Sequence, residues 1–261
     1  MHELRPAGVE WRDLLVHSRL RTLLELALPL PWLVAALLCG FAGWSVATVL
    51  ATFVLFMTGL RVTHGAFHRS IGLRRGGDDA VMFVLSVLLG GSMHAIEFTH
   101  LRHHRDCLGP DDVEGHIAHL GFWHALAHSP AYPLQIHAAA LRHGDTRRRC
   151  WVLAELGAVA LVQYGVWCVS DSATLQTMAL ALLFANLSAA MVGIWAVHRA
   201  CDADGFGART SRSRVLDVCV AGMFHHLEHH LYPAVPTWRL PLLARRFDAV
   251  QAGRVRTVFG G

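Results

Sequence analysis

The pattern His-x-x-His-His occurs twice in this chain, as HLRHH (His100, His103, His104) and as HLEHH (His226, His229, His230), with HGAFH (His64, His68) ahead of both. Imidazole nitrogen is a good ligand for iron, zinc, copper or nickel. On a helix, positions i, i+3 and i+4 share one face, so each box is expected to present all its imidazoles to one point. With 19 His in 261 residues, a shuffled chain holds on the order of 0.1 copies of the five-residue box. Eight imidazoles are too many for one ion and enough for two. Structural zinc sites commonly include Cys, and catalytic zinc keeps three ligands and a water, so a Cys-free histidine set suits a two-metal, oxygen-handling centre better. For any single box the alternative is a group of solvated interfacial histidines or of core histidines satisfied by hydrogen bonds.

Other residues near the boxes carry weaker signals. Glu228, inside HLEHH, and Glu97, ahead of HLRHH, are each either an acceptor that orients a ligating imidazole or a surface carboxylate. HALAH (His124, His128) repeats the first spacing but is expected in an interfacial segment rather than at the end of a span. It is left out of the site, as are His94, His116, His119, His137, His143 and His225. Asp111, Asp112 and Glu114 either recruit a basic partner or cap a helix, capping being the more economical reading.

The elements that position the boxes are expected to be membrane helices. Hydrophobic residues make up 54% of the chain and charged residues 16%, against roughly 45–50% and 25% in ordinary soluble proteins. A helix crosses the hydrocarbon core with about 20 apolar residues, and Leu23–Phe41, Trp44–Val62, Trp151–Val169 and Thr174–Val197 qualify or nearly so. Short connections without Arg join the first two and the last two, which predicts two helical hairpins. All basic residues are Arg, and they flank the other ends of these spans: Arg19 and Arg21, Arg61 to Arg75, Arg147 to Arg149, Arg199 to Arg214. Since Lys and Arg concentrate on the cytoplasmic side, the boxes and both termini are expected there. Ala80–Phe98 is long enough to span, but crossing would separate the second box from the first, so an interfacial or re-entrant helix is expected. Gly115–His143 reads as a second interfacial element, and the prolines after His230 predict an extended turn before a short basic helix. One unit over residues 1–261 is expected: all-α, integral to the membrane, with four spans, interfacial helices and a His-rich cytoplasmic cap.

The six cysteines lack a CxxC pair and are expected to be reduced thiols. The Arg residues sit beside apolar spans and form no stripe with stacking aromatics, which argues against nucleic-acid binding. A His-lined metal transporter needs polar residues along its spans, and these spans hold almost none. A slot between spans, lined by Phe53, Phe56, Phe184 and Met191, is expected to take an alkyl or isoprenoid chain.

The ordered boxes HGAFH, HLRHH and HHLEHHLYPAVP, separated by a pair of spans, resemble the membrane fatty acid desaturase and hydroxylase superfamily, which includes acyl-lipid desaturases, alkane hydroxylases and carotenoid ketolases. The resemblance runs from about Leu50 to Arg246 and does not single out a substrate. It implies two non-haem irons, use of dioxygen, and electrons from a separate ferredoxin or cytochrome b5 type protein. By motif the implied ligands are His64, His68, His100, His103, His104, His226, His229 and His230. Superfamily members often carry one more ligand at the end of the last span, where His198 stands; otherwise His198 snorkels beside Arg199. Desaturases often have an Asn one turn earlier, but position 194 here is Ile, and Asn186 lies two turns further up. The implied function is O2-dependent desaturation of a fatty-acyl or lipid chain; the alternative is an isoprenoid ketolase or hydroxylase, or an alkyl hydroxylase, using the same site.

Overall fold

The computed structural model describes residues 5–201, 206–251 and 255–258. Helices dominate, and among the described residues no strand forms beyond an isolated bridge between Thr210 and Thr257. Four helical segments are long and apolar enough to cross a membrane: Arg19–Phe41, Ser45–Phe67, Thr146–Val169 and Ala173–His198. Each begins or ends a few residues beyond the expected span, because polar residues at the arginine-rich end keep helical geometry past the point where apolar composition stops.

The first segment divides into α1 (Arg19–Ala27) and α2 (Leu30–Phe41). Pro29 and Pro31 lie at the junction, and proline brings no amide hydrogen to continue the ladder. α3 (Ser45–Phe67) returns, and Arg61 on it forms a bidentate pair with Glu25 on α1 at 2.6 and 2.8 Å. Both side chains are largely buried. Removing one partner of a buried pair typically costs about 3–5 kcal/mol, so Glu25→Leu is expected to lower the melting temperature of the detergent-solubilised protein well below that of Glu10→Leu, which serves as a control.

Where one interfacial helix was expected, the chain makes two. α4 (Arg75–Leu89) and α5 (Met93–Asp106) meet at an angle of 113°. Gly90 makes the bend in the left-handed region at φ 83°, a conformation glycine adopts without steric cost. Asn186 donates to the Leu89 carbonyl at 2.7 Å and so pins the bend to the last span. Ser92 caps α5 by accepting from the Ala95 amide, and its hydroxyl donates to Glu155 at 2.5 Å. The bent pair keeps the second box at the same end of the bundle as the first, because α5 turns back instead of continuing across.

Residues Gly115–His143 form no single element either: a 3-10 turn at Gly115–His119 leads to α6 (Phe122–His128) and α7 (Tyr132–His143). α8 (Thr146–Tyr164) ends in a π turn at Gly165–Val169. α9 (Ala173–Ala190) passes through a second π turn, Met191–Trp195, into the short α10 (Ala196–His198). α11 (Arg214–Cys219), α12 (His226–Leu231) and α13 (Leu240–Val250) complete the cap. The turn after His230 and the helix beyond it follow the expected pattern, with Pro241 in the first turn of α13. The largest buried cluster joins α3, α4 and the α9–α10 region through Phe56, Met57, Leu85, Leu89, Leu182 and Val197, directly beneath the histidines.

Candidate metal centre

Nine imidazoles gather at the ends of the helices in two groups: His64, His68, His100, His104 and His229 form one, and His103, His198, His226 and His230 form the other. Within each group the facing nitrogens all lie within 4.8 Å of one another. All nine candidates from the sequence, His198 among them, are in one group or the other.

HGAFH presents both its imidazoles to the first group as expected, but HLRHH and HLEHH do not act as units. On α5, His100 and His104 face the first group while His103 faces the second; on α12, His226 and His230 face the second group while His229 faces the first. The helix turns about 100° per residue, so positions i and i+4 nearly eclipse while i+3 lies on their other side. Adjacent histidines in HLRHH and HLEHH therefore diverge, and each box contributes to both groups.

Hydrogen bonds behind the rings settle which nitrogen faces inward. His103 Nδ1 lies 2.6 Å from Asp112 Oδ2, and His100 Nδ1 lies 3.1 Å from Glu114 Oε2. His198 Nδ1 lies 2.6 Å from the Gly207 carbonyl. These oxygens accept, so each ring donates from Nδ1 and turns the Nε2 lone pair inward. His103 Nε2 and His198 Nε2 then face each other at 3.0 Å, and His226 Nε2 lies 2.8 Å from His198 Nε2. In the first group His100 Nε2 lies 3.1 Å from both His68 Nε2 and His104 Nε2. Lone pairs aimed at one another at this range repel unless a cation lies among them. The donor set thus fits metal ions, and all-imidazole ligation suits transition metals rather than calcium or magnesium.

Burial holds His68, His104, His226, His229 and His230 well below the ordinary imidazole pKa, and neighbouring imidazoles push the same way. Neutral rings are the ligating form. For His103 burial opposes protonation, while the Asp112 carboxylate, with help from the Cys107 thiol, pushes the ring the other way; the same carboxylate favours a cation at Nε2, proton or metal ion. Burial alone would raise the Asp112 carboxyl; the bond to His103 outweighs it and holds the group below its ordinary value.

Two expectations about the carboxylates are corrected. Glu97 and Glu228 are neither acceptors for these rings nor surface groups. Glu97 is buried and meets Arg148 at 3.2 Å, and Glu228 is fully buried between Arg212 and Thr210, 2.6 Å from each. Glu228 lies two residues after His226, on the far side of α12 from the rings. Asp112 and Glu114 take the acceptor role instead. Asp112 does also cap, accepting from the Gly115 amide at 3.0 Å. Their signal in the sequence was the Gly109–Pro110 turn just after the second box, which folds the acidic run back along α5.

The excluded histidines stay outside both groups. His128 meets Gln135 at 2.9 Å, and His225 meets Asp217 at 3.3 Å. His94 Nδ1 meets Glu155 at 2.6 Å, and its ring stacks on Trp151 with 4.8 Å between centroids. His128→Ala is accordingly expected to leave the metal content of the purified protein unchanged, measured by elemental analysis.

An apolar cavity runs between α3 and α9 up to both groups. Phe53, Phe56, Met57 and Leu60 line it from α3, and Ala185, Ser188 and Ala189 from α9. Its inner end is closed by His64, His100 and His226, with Glu114 and Tyr132 beside them. Phe53 and Phe56 were expected; Phe184 instead points outward, 72% exposed, and Met191 is not on the lining. The lining positions recur every three or four residues on both helices, whereas Phe184 lies one residue off that stripe.

Apolar helices long enough to cross a membrane, paired polyhistidine groups at their ends that could hold metal ions, and an apolar slot between them define a membrane-embedded class of protein. The chain belongs to the fatty acid desaturase family, whose profile matches residues 28–259, and is thereby an oxidoreductase that works on lipid in a membrane. Comparison with curated protein sequences gives no match.

Proposed function

We propose that the chain is an O2-dependent oxidoreductase that desaturates a fatty-acyl or lipid chain at two non-haem iron ions. One ion would be held by His64, His68, His100, His104 and His229, the other by His103, His198, His226 and His230. Bound there, the iron pair would supply the redox chemistry that uses dioxygen and two external electrons to oxidise a C–H bond.

The observation that carries this reading is the shared end of the apolar cavity: His64 and His100 from the first group and His226 from the second line the same space. A carbon lying there is next to both groups at once. The apolar walls exclude water around it. Asp112 and Glu114 hold protons on Nδ1 of His103 and His100 and so keep Nε2 available. A ferredoxin or cytochrome b5 type protein would supply the electrons. The histidine groups lie at the arginine-rich ends of the spans, which supports a cytoplasmic site with both ends of the chain on that side.

A second reading, an isoprenoid or alkyl ketolase or hydroxylase, has its own support in the lining. Among the described residues no arginine lines the cavity, so it offers no cation to a charged acyl carrier.

The test is mass profiling of lipids and isoprenoids from aerobic cells expressing the chain with a reductase system, against cells expressing His229→Ala. A product two hydrogens lighter, absent from the variant, is expected. A product with added oxygen would move the assignment to the second reading, and identical profiles would sink both.

A further inference from the structure

A second opening lies off another face of α5, a cleft of about 840 Å³ between α5 and α7. It is polar where the slot is apolar. Thr99 and Arg102 line it from α5, Asp111 and Asp112 from the turn that follows, and Arg142 from α7. Asp111 and Arg142 are exposed, so the mouth stands at the arginine-rich end, clear of the apolar parts of the spans.

Two hydrogen-bonded paths leave the floor of this cleft, one to each histidine group. Asp112 is buried there and lies 2.6 Å from His103 Nδ1, in the second group. Thr99 donates to Glu114 Oε1 at 2.7 Å, and Glu114 Oε2 lies 3.1 Å from His100 Nδ1, in the first. A molecule seated in the cleft is thus close to both groups without entering the slot.

The walls carry charge that nothing in the chain answers. Elsewhere at this end arginines meet carboxylates, as Arg61 meets Glu25, Arg147 meets Asp79 and Arg212 meets Glu228. Among the described residues, Arg102 and Arg142 form no ion pair. Arg102 lies over the Phe98 ring, 5.4 Å from its centroid, on one wall, and Arg142 stands on the other. Asp111 is the exposed carboxylate on the lining. Two unanswered cations attract and orient an acidic partner. Encounters between electron-transfer proteins bury little surface, and a cleft of this size suits one.

We infer that the cleft between α5 and α7 is where the electron donor docks, and that the donor presents carboxylates to Arg102 and Arg142. This rests on the proposed oxidation at the histidine groups and deepens it: the lipid chain and the electrons arrive through different openings, one apolar and one charged. Each encounter oxidises the donor by one electron and reduces the metal centre by one, and no bond forms or breaks in the cleft. Asp111 repels such a partner, so its neutralisation acts with the opposite sign to loss of either arginine.

The test is surface plasmon resonance on full-length, iron-loaded protein in phosphatidylcholine nanodiscs, with two acidic probes, a plant-type ferredoxin and the soluble domain of cytochrome b5. At least one is expected to bind, and more weakly as salt rises. Arg142→Glu is expected to weaken binding about fivefold to tenfold and Arg102→Gln about threefold, whereas Asp111→Asn tightens it about threefold. Arg214→Glu, the same charge change at an exposed residue of α11, is expected to stay within about twofold of the unaltered protein. An equal loss in Arg214→Glu and Arg142→Glu would reduce the effect to net charge and overturn the inference. So would an unmoved Arg142→Glu, weaker binding in Asp111→Asn, or no binding of either probe to the unaltered protein. Iron per chain is measured on every variant; if Arg102→Gln loses iron, Arg142→Glu and Asp111→Asn carry the comparison. Lipid products are profiled separately. Binding that follows the cleft charges without a lipid product would keep the docking site and remove the oxidation reading; a lipid product with binding indifferent to those charges would do the reverse.

Discussion

His226→Ala is expected to lose one iron per chain and to retain the other, with lipid product falling below detection. His226 sits in the second group with His103, His198 and His230, and its Nε2 lies 2.8 Å from His198 Nε2 and 3.0 Å from His230 Nε2. The first group contains none of these residues and keeps all five of its imidazoles. A vacated ligand position leaves three imidazoles in the second group, whose remaining rings are all buried. On the proposed reading both ions would be needed for oxidation of the chain, so the loss of rate is expected to exceed about 1000-fold, or some 4 kcal/mol. His229→Ala leaves four imidazoles in the first group, as many as the second holds intact, so its ion is expected to bind more weakly rather than to be lost. Iron analysis combined with Mössbauer spectroscopy on 57Fe-loaded protein reads both. Loss of both ions from His226→Ala, or of neither, would show that the two groups do not bind independently as assigned.

The second large effect is expected from Asp112→Asn. Asp112 touches no substrate and acts through His103, whose Nδ1 it meets at 2.6 Å. The change keeps shape and removes charge, so the ring is held less firmly in the tautomer that turns Nε2 inward. Partners behind metal-bound imidazoles typically contribute 10- to 100-fold in metal affinity, and a weakening of about that size is expected for the second group alone. Equilibration against a graded series of iron chelators should show one ion leaving earlier and the other unmoved. Asp111→Asn, at an exposed neighbour, is expected to change neither. Equal weakening of both ions would place the effect of Asp112 in folding of the loop rather than at His103.

What the sequence revealed and what it hid differ in range. The boxes were legible because i, i+3 and i+4 contacts are local, and His198 was legible because it closes an apolar run whose length is itself local information. The two-group division was available in principle from the same helix geometry, since neighbouring residues diverge by about 100°. The acceptors were harder. Asp112 reaches His103 only because Leu108, at φ 60°, and the Gly109–Pro110 turn reverse the chain. The Gly207 carbonyl reaches His198 through a fold of the cap that no spacing reports. Four helices, two hairpins and a re-entrant stretch were readable from hydropathy and from Gly90–Gly91, but not that Asn186 and Glu155 would anchor the bend. Glu97 and Glu228 misled because a carboxylate beside a histidine in sequence faces away from it on a helix.

The interleaving of the two groups along α5 and α12 has a consequence for how such a sequence can drift. Each of these helices works as a two-sided key, its i and i+4 teeth cut for one lock and its i+3 tooth for the other. A residue inserted between His226 and His229 would rotate the later histidines by about 100°, handing one to the wrong lock and leaving one idle. The turn that brings Asp112 to His103 shares this constraint, whereas lipid-facing positions on the spans can exchange one apolar residue for another. The five-residue frame cannot stretch by even one position without breaking both groups at once, so its length behaves as a single indivisible letter.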